Sequence, residues 1–278
     1  MSASVPLDIF YLIVGVLAHR QDKDTLKSLA LTQHELYSYC QPHIFATVEL
    51  VATDSESNTF VPFLDLLESN PRLALYIKKL KLIFSSRLLE NPLVVPRLPS
   101  ALDKLSNVEA LTLDSVPESS TGVSWNRVDH HLYVALNNII KSPKLVTLDI
   151  APVHDIPILT LLLHTSRLRH LSLKSSGRPP NFKYGFAGEI PNSETPPLQS
   201  FSYGLGCGDL IRRILRVLSP DKQPIFDFSR LSILSFSQTS FDGRDDISLK
   251  LLPLVVGLRE LTIRGMDHIP CQSIQYLI

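Results

Sequence analysis

Along this chain an apolar residue is followed by two variable positions, a second apolar residue, one variable position and a third apolar residue, and the phrase then recurs. It stands at Ile77-Leu80-Leu82, Val108-Leu111-Leu113, Leu145-Leu148-Ile150 and Leu168-Leu171-Leu173. It returns at Leu198-Phe201-Tyr203, Leu231-Leu234-Phe236 and Leu258-Leu261-Ile263. The steps between first apolar positions are 31, 37, 23, 30, 33 and 27 residues, and a fainter copy, Phe45-Val48-Leu50, lies 32 residues before Ile77. Alternation within the phrase predicts a short strand with one buried face. Repetition at this period predicts a solenoid, in which each unit buries its apolar face only by stacking on its neighbours.

Between phrases the spacing turns helical. Pro62, Phe63, Leu64, Leu66 and Leu67 precede Ser69-Asn70-Pro71, and Leu132, Leu136, Ile139 and Ile140 precede Ser142-Pro143. Ile158, Leu161 and Leu162 lead to Thr165-Ser166; Leu210, Ile214, Leu215 and Leu218 lead to Ser219-Pro220; Leu249, Leu252, Val255 and Val256 lead to Gly257. The expected unit is a helix with one apolar stripe, a turn and a strand. Its outward strand residues include Lys79, Lys81, Thr147, Asp149, His170, Ser172, Ser200, Ser202, Glu260 and Thr262. The L-x-x-L-x-L core resembles the strand signature of leucine-rich repeats, which implies an irregular α/β solenoid over residues 45–278 with parallel concave strands and convex helices. That family places Asn or Cys three residues past the last apolar position, where its side chain satisfies the turn; here Ser85, Val116, Val153, Ser176, Gly206, Thr239 and Met266 stand there. Gln272–Leu277 reads as the start of another helix, and no polar cap for the solenoid is visible after it.

Residues 1–44 do not carry the phrase and read as two or three short helices. Ile9 to Ala18 is an uncharged run preceded by Asp8 rather than by Lys or Arg, unlike a secretory signal, and is about half the length needed to cross a bilayer. It is expected to be a core helix, with Ile9, Leu12, Ile13, Val16 and Leu17 as its stripe. Asp22-Lys23-Asp24-Thr25 supplies capping residues for a second helix with Leu26, Leu29, Ala30 and Leu31 as its stripe.

Val5-Pro6-Leu7-Asp8-Ile9 resembles the Leu-Pro-x-Glu-Ile/Leu opening of an F-box, and Ile13, Val16 and Leu17 match its first stripe. Asp24-Thr25-Leu26 with Leu29-Ala30-Leu31 is similar to its second region, although no Trp follows and Leu36 and Tyr37 stand nearby. Gln41-Pro42-His43-Ile44-Phe45 with Val48-Glu49-Leu50 is similar to the junction in fungal F-box-like proteins with leucine-rich repeats. The resemblance implies a substrate receptor of a Skp–cullin–F-box ubiquitin ligase: the F-box docks a Skp-type adaptor through Pro6, Leu7, Ile9, Ile13 and Leu17, and the repeats hold a protein substrate. From the residues alone, the same helices also fit a plain cap on the first repeat, and the chain then fits a stand-alone repeat scaffold or inhibitor.

Composition narrows this picture. Lys+Arg and Asp+Glu both number 27, so no polyanionic partner such as nucleic acid is implied, and no span for a membrane is expected. Cys40, Cys207 and Cys271 are odd in number and far apart, which suits a reducing cytoplasmic or nuclear setting. No enzyme is expected, and no cofactor or metal. Tyr203-Gly204-Leu205-Gly206-Cys207-Gly208-Asp209 has the placement of a phosphate loop without its spacing or its Lys-Ser/Thr. His34-Glu35 lacks a second His at position 38, Cys40 and His43 lack a second ligand pair, and His130 and His131 are adjacent. Asp242–Asp246 follows no calcium-loop pattern, and Arg212, Arg213 and Arg216 form too narrow a basic surface for nucleic acid. For substrate contact the candidates are Lys79, Lys81 and His170 on the strands, and Phe182, Tyr184 and Phe186 in the long stretch Lys174–Pro197.

Overall fold

The computed structural model describes residues 7–52, 59–85, 88–116, 123–124, 128–151, 153–154, 167–174, 196–204, 226–238, 251–265 and 274–277, with isolated positions 162, 165, 207, 211, 214 and 215. Three helices open it: α1 (Leu7–His19), α2 (Lys23–Ala30) and α3 (His34–Ile44). Every recurrence of the phrase is then a strand. They are β1 (Thr47–Val51), β2 (Lys79–Phe84), β3 (Ala110–Ser115), β5 (Thr147–Ile150) and β7 (His170–Leu173). β8 (Ser200–Tyr203), β9 (Ile233–Gln238) and β10 (Glu260–Gly265) complete the set. A separate parallel pair, β4 (Val123–Ser124) and β6 (Val153–His154), lies in the connections flanking β5.

The eight phrase strands form one parallel sheet in sequence order, and β11 (Ile274–Leu277) joins antiparallel to β10. The register matches phrase to phrase: Val48, Leu80, Leu111, Leu148, Leu171, Phe201, Leu234 and Leu261 are successive partners. So are Leu50, Leu82, Leu113, Ile150, Leu173, Tyr203, Phe236 and Ile263. Registry follows because a slip of one residue would turn every one of these side chains to solvent. At β8 and β9 aromatic rings replace leucines: Tyr203 stacks on Phe236 with centroids 5.5 Å apart, and Phe201 lies 6.0 Å from Phe228.

Against the leucine face pack α4 (Phe60–Ser69), α5 (Leu98–Asp103) and α6 (His130–Ile140). Arg97 joins α4 to α5, its guanidinium 2.6 Å from Asp65 and 2.8 Å from Glu68. Asp129 caps α6 by accepting from the His131 N–H at 2.9 Å. Ser85, at the position where the resemblance expects Asn, is buried and its Oγ accepts from the Leu88 N–H at 3.2 Å, so a hydroxyl satisfies that turn. The expected helix over Gln272–Leu277 is corrected: Ile274–Leu277 is strand β11, because the open edge of β10 offers a row of N–H and C=O groups with which an added strand can pair.

The opening helices enclose a separate apolar cluster of Val14, Leu26, Ala30 and Cys40, with Leu17, Ala18, Leu29 and Ile44 against it. α3 also packs on the turn Pro71–Tyr76, and the Lys23 ammonium donates to the Thr47 carbonyl at 2.7 Å.

Candidate functional site

The turn from α1 to α2 fixes how α1 is presented. The Gln21 N–H donates to the Ala18 carbonyl and the Asp22 N–H to the Leu17 carbonyl, with Gln21 in the left-handed region at φ 58°. This is the Schellman arrangement with Gln where Gly is usual. Asp22 then caps α2, accepting from the Thr25 N–H at 3.1 Å and from its hydroxyl at 2.8 Å, which holds the Asp22 carboxyl below its ordinary range.

Held this way, α1 turns Val14, Leu17 and Ala18 toward α2 and α3 and leaves its other apolar side open. Ile9, Leu12, Ile13 and Val16 are 44%, 67%, 41% and 53% exposed. Their spacing of three, four and seven residues puts them on one face. Leu31, at the end of α2, is also exposed. The core helix expected over Ile9–Ala18 is therefore corrected: it is apolar on both sides and covered on one. Beside it the Tyr11 and Tyr39 rings lie with centroids 4.0 Å apart, and hydrogen bonding to Tyr39 pushes the Tyr11 phenol up to about 12.

Of the residues assigned to adaptor contact, Ile9 and Ile13 lie on the open stripe, and Leu17 packs inward on the helical cluster. Leu7 begins α1, and Pro6 lies outside the described residues. The helical period puts Leu12 and Val16 on the expected core stripe, but nothing in that period tells a covered stripe from an open one.

The second surface is the polar face of the sheet. One row across it reads Glu49, Lys81, Thr112, Asp149, Ser172, Ser202, Ser235 and Thr262. The next reads Thr47, Lys79, Ala110, Thr147, His170, Ser200, Ile233 and Glu260. Lys81 lies 2.7 Å from Glu49, which holds its ammonium above the ordinary range, and Lys174 lies 2.8 Å from Asp149. The other oxygen of Asp149, Oδ1, is buried without a hydrogen-bond partner. Lys79 is exposed with no ion pair among the described residues. His170 is half-buried, and burial, helped by the Arg169 charge, holds its imidazole below its ordinary range. Lys79, Lys81 and His170 thus share one face, whose charged side chains gather on the first four phrase strands and whose later strands carry mostly small hydroxyls, with Ile233 and Glu260 at the far end. Phe182, Tyr184 and Phe186 lie outside the described residues, as do Asp209, Asp242–Asp246, Arg212, Arg213 and Arg216.

On the helix side, Pro96, Pro99, Asp103, Asp129, His130 and His131 line an open groove of about 720 Å³. Among the described residues no three His, Cys, Asp or Glu side chains converge as metal ligands. Cys40 is buried while His43 is exposed. The Cys207 thiol is pushed up to about 11 by burial. No helix among the described residues is long and apolar enough to cross a membrane. No protein-family model and no curated protein matches the chain in sequence.

Proposed function

We propose that this chain is a non-enzymatic protein-binding adaptor: an F-box-like helical segment docks a Skp-type adaptor of a cullin ubiquitin ligase, and a leucine-rich-repeat solenoid holds a protein substrate. The observation that carries the reading is the open stripe of Ile9, Leu12, Ile13 and Val16. Four apolar side chains exposed on one helical face cost free energy in water unless a partner covers them. The resemblance of Val5–Ile9 to an F-box opening names that partner. The sequential parallel sheet suits the repeat reading, since its polar face offers a broad surface for a partner. Free buried thiols at Cys40 and Cys207 suit a reducing cytoplasmic or nuclear compartment.

One observation favours the alternative, a stand-alone repeat scaffold: α3 packs on the Pro71–Tyr76 turn and Lys23 bonds to Thr47, as a plain cap on the first repeat would. Co-expression with a Skp-type adaptor separates the two. Retention of the adaptor by the wild-type chain and its loss in Ile9→Asp/Ile13→Asp supports the ligase reading. A folded wild-type chain that retains none makes the helices a cap and the protein a scaffold.

A further inference from the structure

At the edge where the strands begin, the backbone runs as a ladder from repeat to repeat. The N–H of Glu109 donates to Lys78, that of Val146 to Glu109, and that of Arg169 to Val146. Gln199, Ser232 and Arg259 continue it in the same way. Arg169 and Arg259 therefore hold equivalent positions before β7 and β10. Lys144, Arg167 and Arg230 hold another, each immediately before the first apolar residue of its phrase. All five are exposed.

Lys144, Arg167 and Arg169 converge on a groove of about 420 Å³ that Pro143, Val146 and Pro197 make partly apolar. Asn107 fixes Lys144 there: its Nδ2 donates to the Leu75 carbonyl at 2.7 Å and its Oδ1 accepts from the Lys144 ammonium. The one carboxylate among the described residues that line the groove, Glu109, already pairs with Lys78 at 3.3 Å. Arg167 and Arg169 have no ion pair among the described residues. In a chain of net charge zero, this is a local surplus of positive charge.

We propose that this edge binds an acidic, Asp/Glu-rich peptide segment of a partner protein. Neighbouring parallel strands are about 4.8 Å apart, so the cations from β5 to β10 spread over about 19 Å, the length of roughly six extended residues. A row of that length matches several carboxylates along a peptide better than one phosphate. The planar guanidiniums of Arg167 and Arg169 suit bidentate carboxylate pairing, and the two prolines seat aliphatic side-chain stems. Nucleic acid fits less well, because no aromatic ring among the described residues lines the groove to stack a base and Glu109 stands within it. The site goes beyond the adaptor reading and is independent of it, since α1 plays no part.

Fluorescence anisotropy with a labelled Glu/Asp-rich peptide tests this on the full chain. The wild type binds, added salt weakens binding, and the Gln/Asn version of the peptide does not bind. Arg167→Ser/Arg169→Ser weakens binding at least about tenfold, Arg167→Lys/Arg169→Lys retains part of it, and Lys27→Ser, at an exposed position on α2, leaves it unchanged. Circular dichroism checks that each variant is folded. No binding by the wild type, equal binding by the serine variant, binding only when the peptide is phosphorylated, or tighter binding of duplex DNA overturns the proposal.

Discussion

Ile44 and Phe45 are chain neighbours that pack into different cores, Ile44 against the Val14–Leu26–Ala30–Cys40 cluster and Phe45 against the large cluster beneath the sheet. The helical segment thus has an apolar centre of its own, small beside that of the sheet. Leu26→Asp puts a charge into the small centre, where it has no partner. Amide hydrogen exchange should show α1 and α2 losing protection while β2, β3 and β5 keep theirs. Loss of protection in the strands as well would mean that the two centres unfold together.

Phe201 is fully buried, with rings on both sides at Tyr203 and Phe228. Phe201→Ala should cost about 3–5 kcal/mol, because the β-sheet backbone cannot collapse into the cavity. Leu12→Ser, on the open side of α1, should change stability by less than about 0.5 kcal/mol. Urea denaturation measures both, and a large cost at Leu12 would show that its face is covered after all.

Gln21 sits at φ 58°, where a side chain is strained and Gly is not. Gln21→Gly should raise stability by about 0.5–1 kcal/mol, and Gln21→Val should lower it by about 1 kcal/mol, since a branched Cβ tolerates this conformation least. Thermal melting of the two variants should move in opposite directions.

His170 has its imidazole held below its ordinary range, first by burial and then by Arg169. As pH falls through the ordinary histidine range, the unfolded chain takes up this proton before the folded one does. The contribution is therefore fully favourable above that range and is lost as pH falls through it. Arg169→Gln removes the smaller cause, so the His170 titration followed by NMR should shift part of the way up. An unmoved titration would mean that the Arg169 guanidinium points away from the imidazole.

The sheet was legible because its signal is redundant. Each of the eight phrases carries three apolar positions, and the register pairs two of them from strand to strand, so a substitution such as Phe201 or Tyr203 for leucine does not hide the phrase. Strand β11 was not legible: Ile274-Gln275-Tyr276-Leu277 is too short to separate strand from helix, and its state is set by the edge of β10. On α1 the periodicity showed where the apolar residues point, which is a property of the helix. Whether Leu12 and Val16 are covered is a property of what lies opposite. The basic edge was invisible for a related reason: Lys144, Arg167, Arg169, Arg230 and Arg259 are scattered in sequence, and only the ladder of repeats sets them in a row.

That ladder also governs how the molecule bears load. Each phrase strand bonds only to strands adjacent to it in sequence order, so one rung of hydrogen bonds can break while the others stay whole. Tension applied between distant repeats would part the sheet rung by rung at modest force, giving a material that yields gradually instead of snapping at a single clamp.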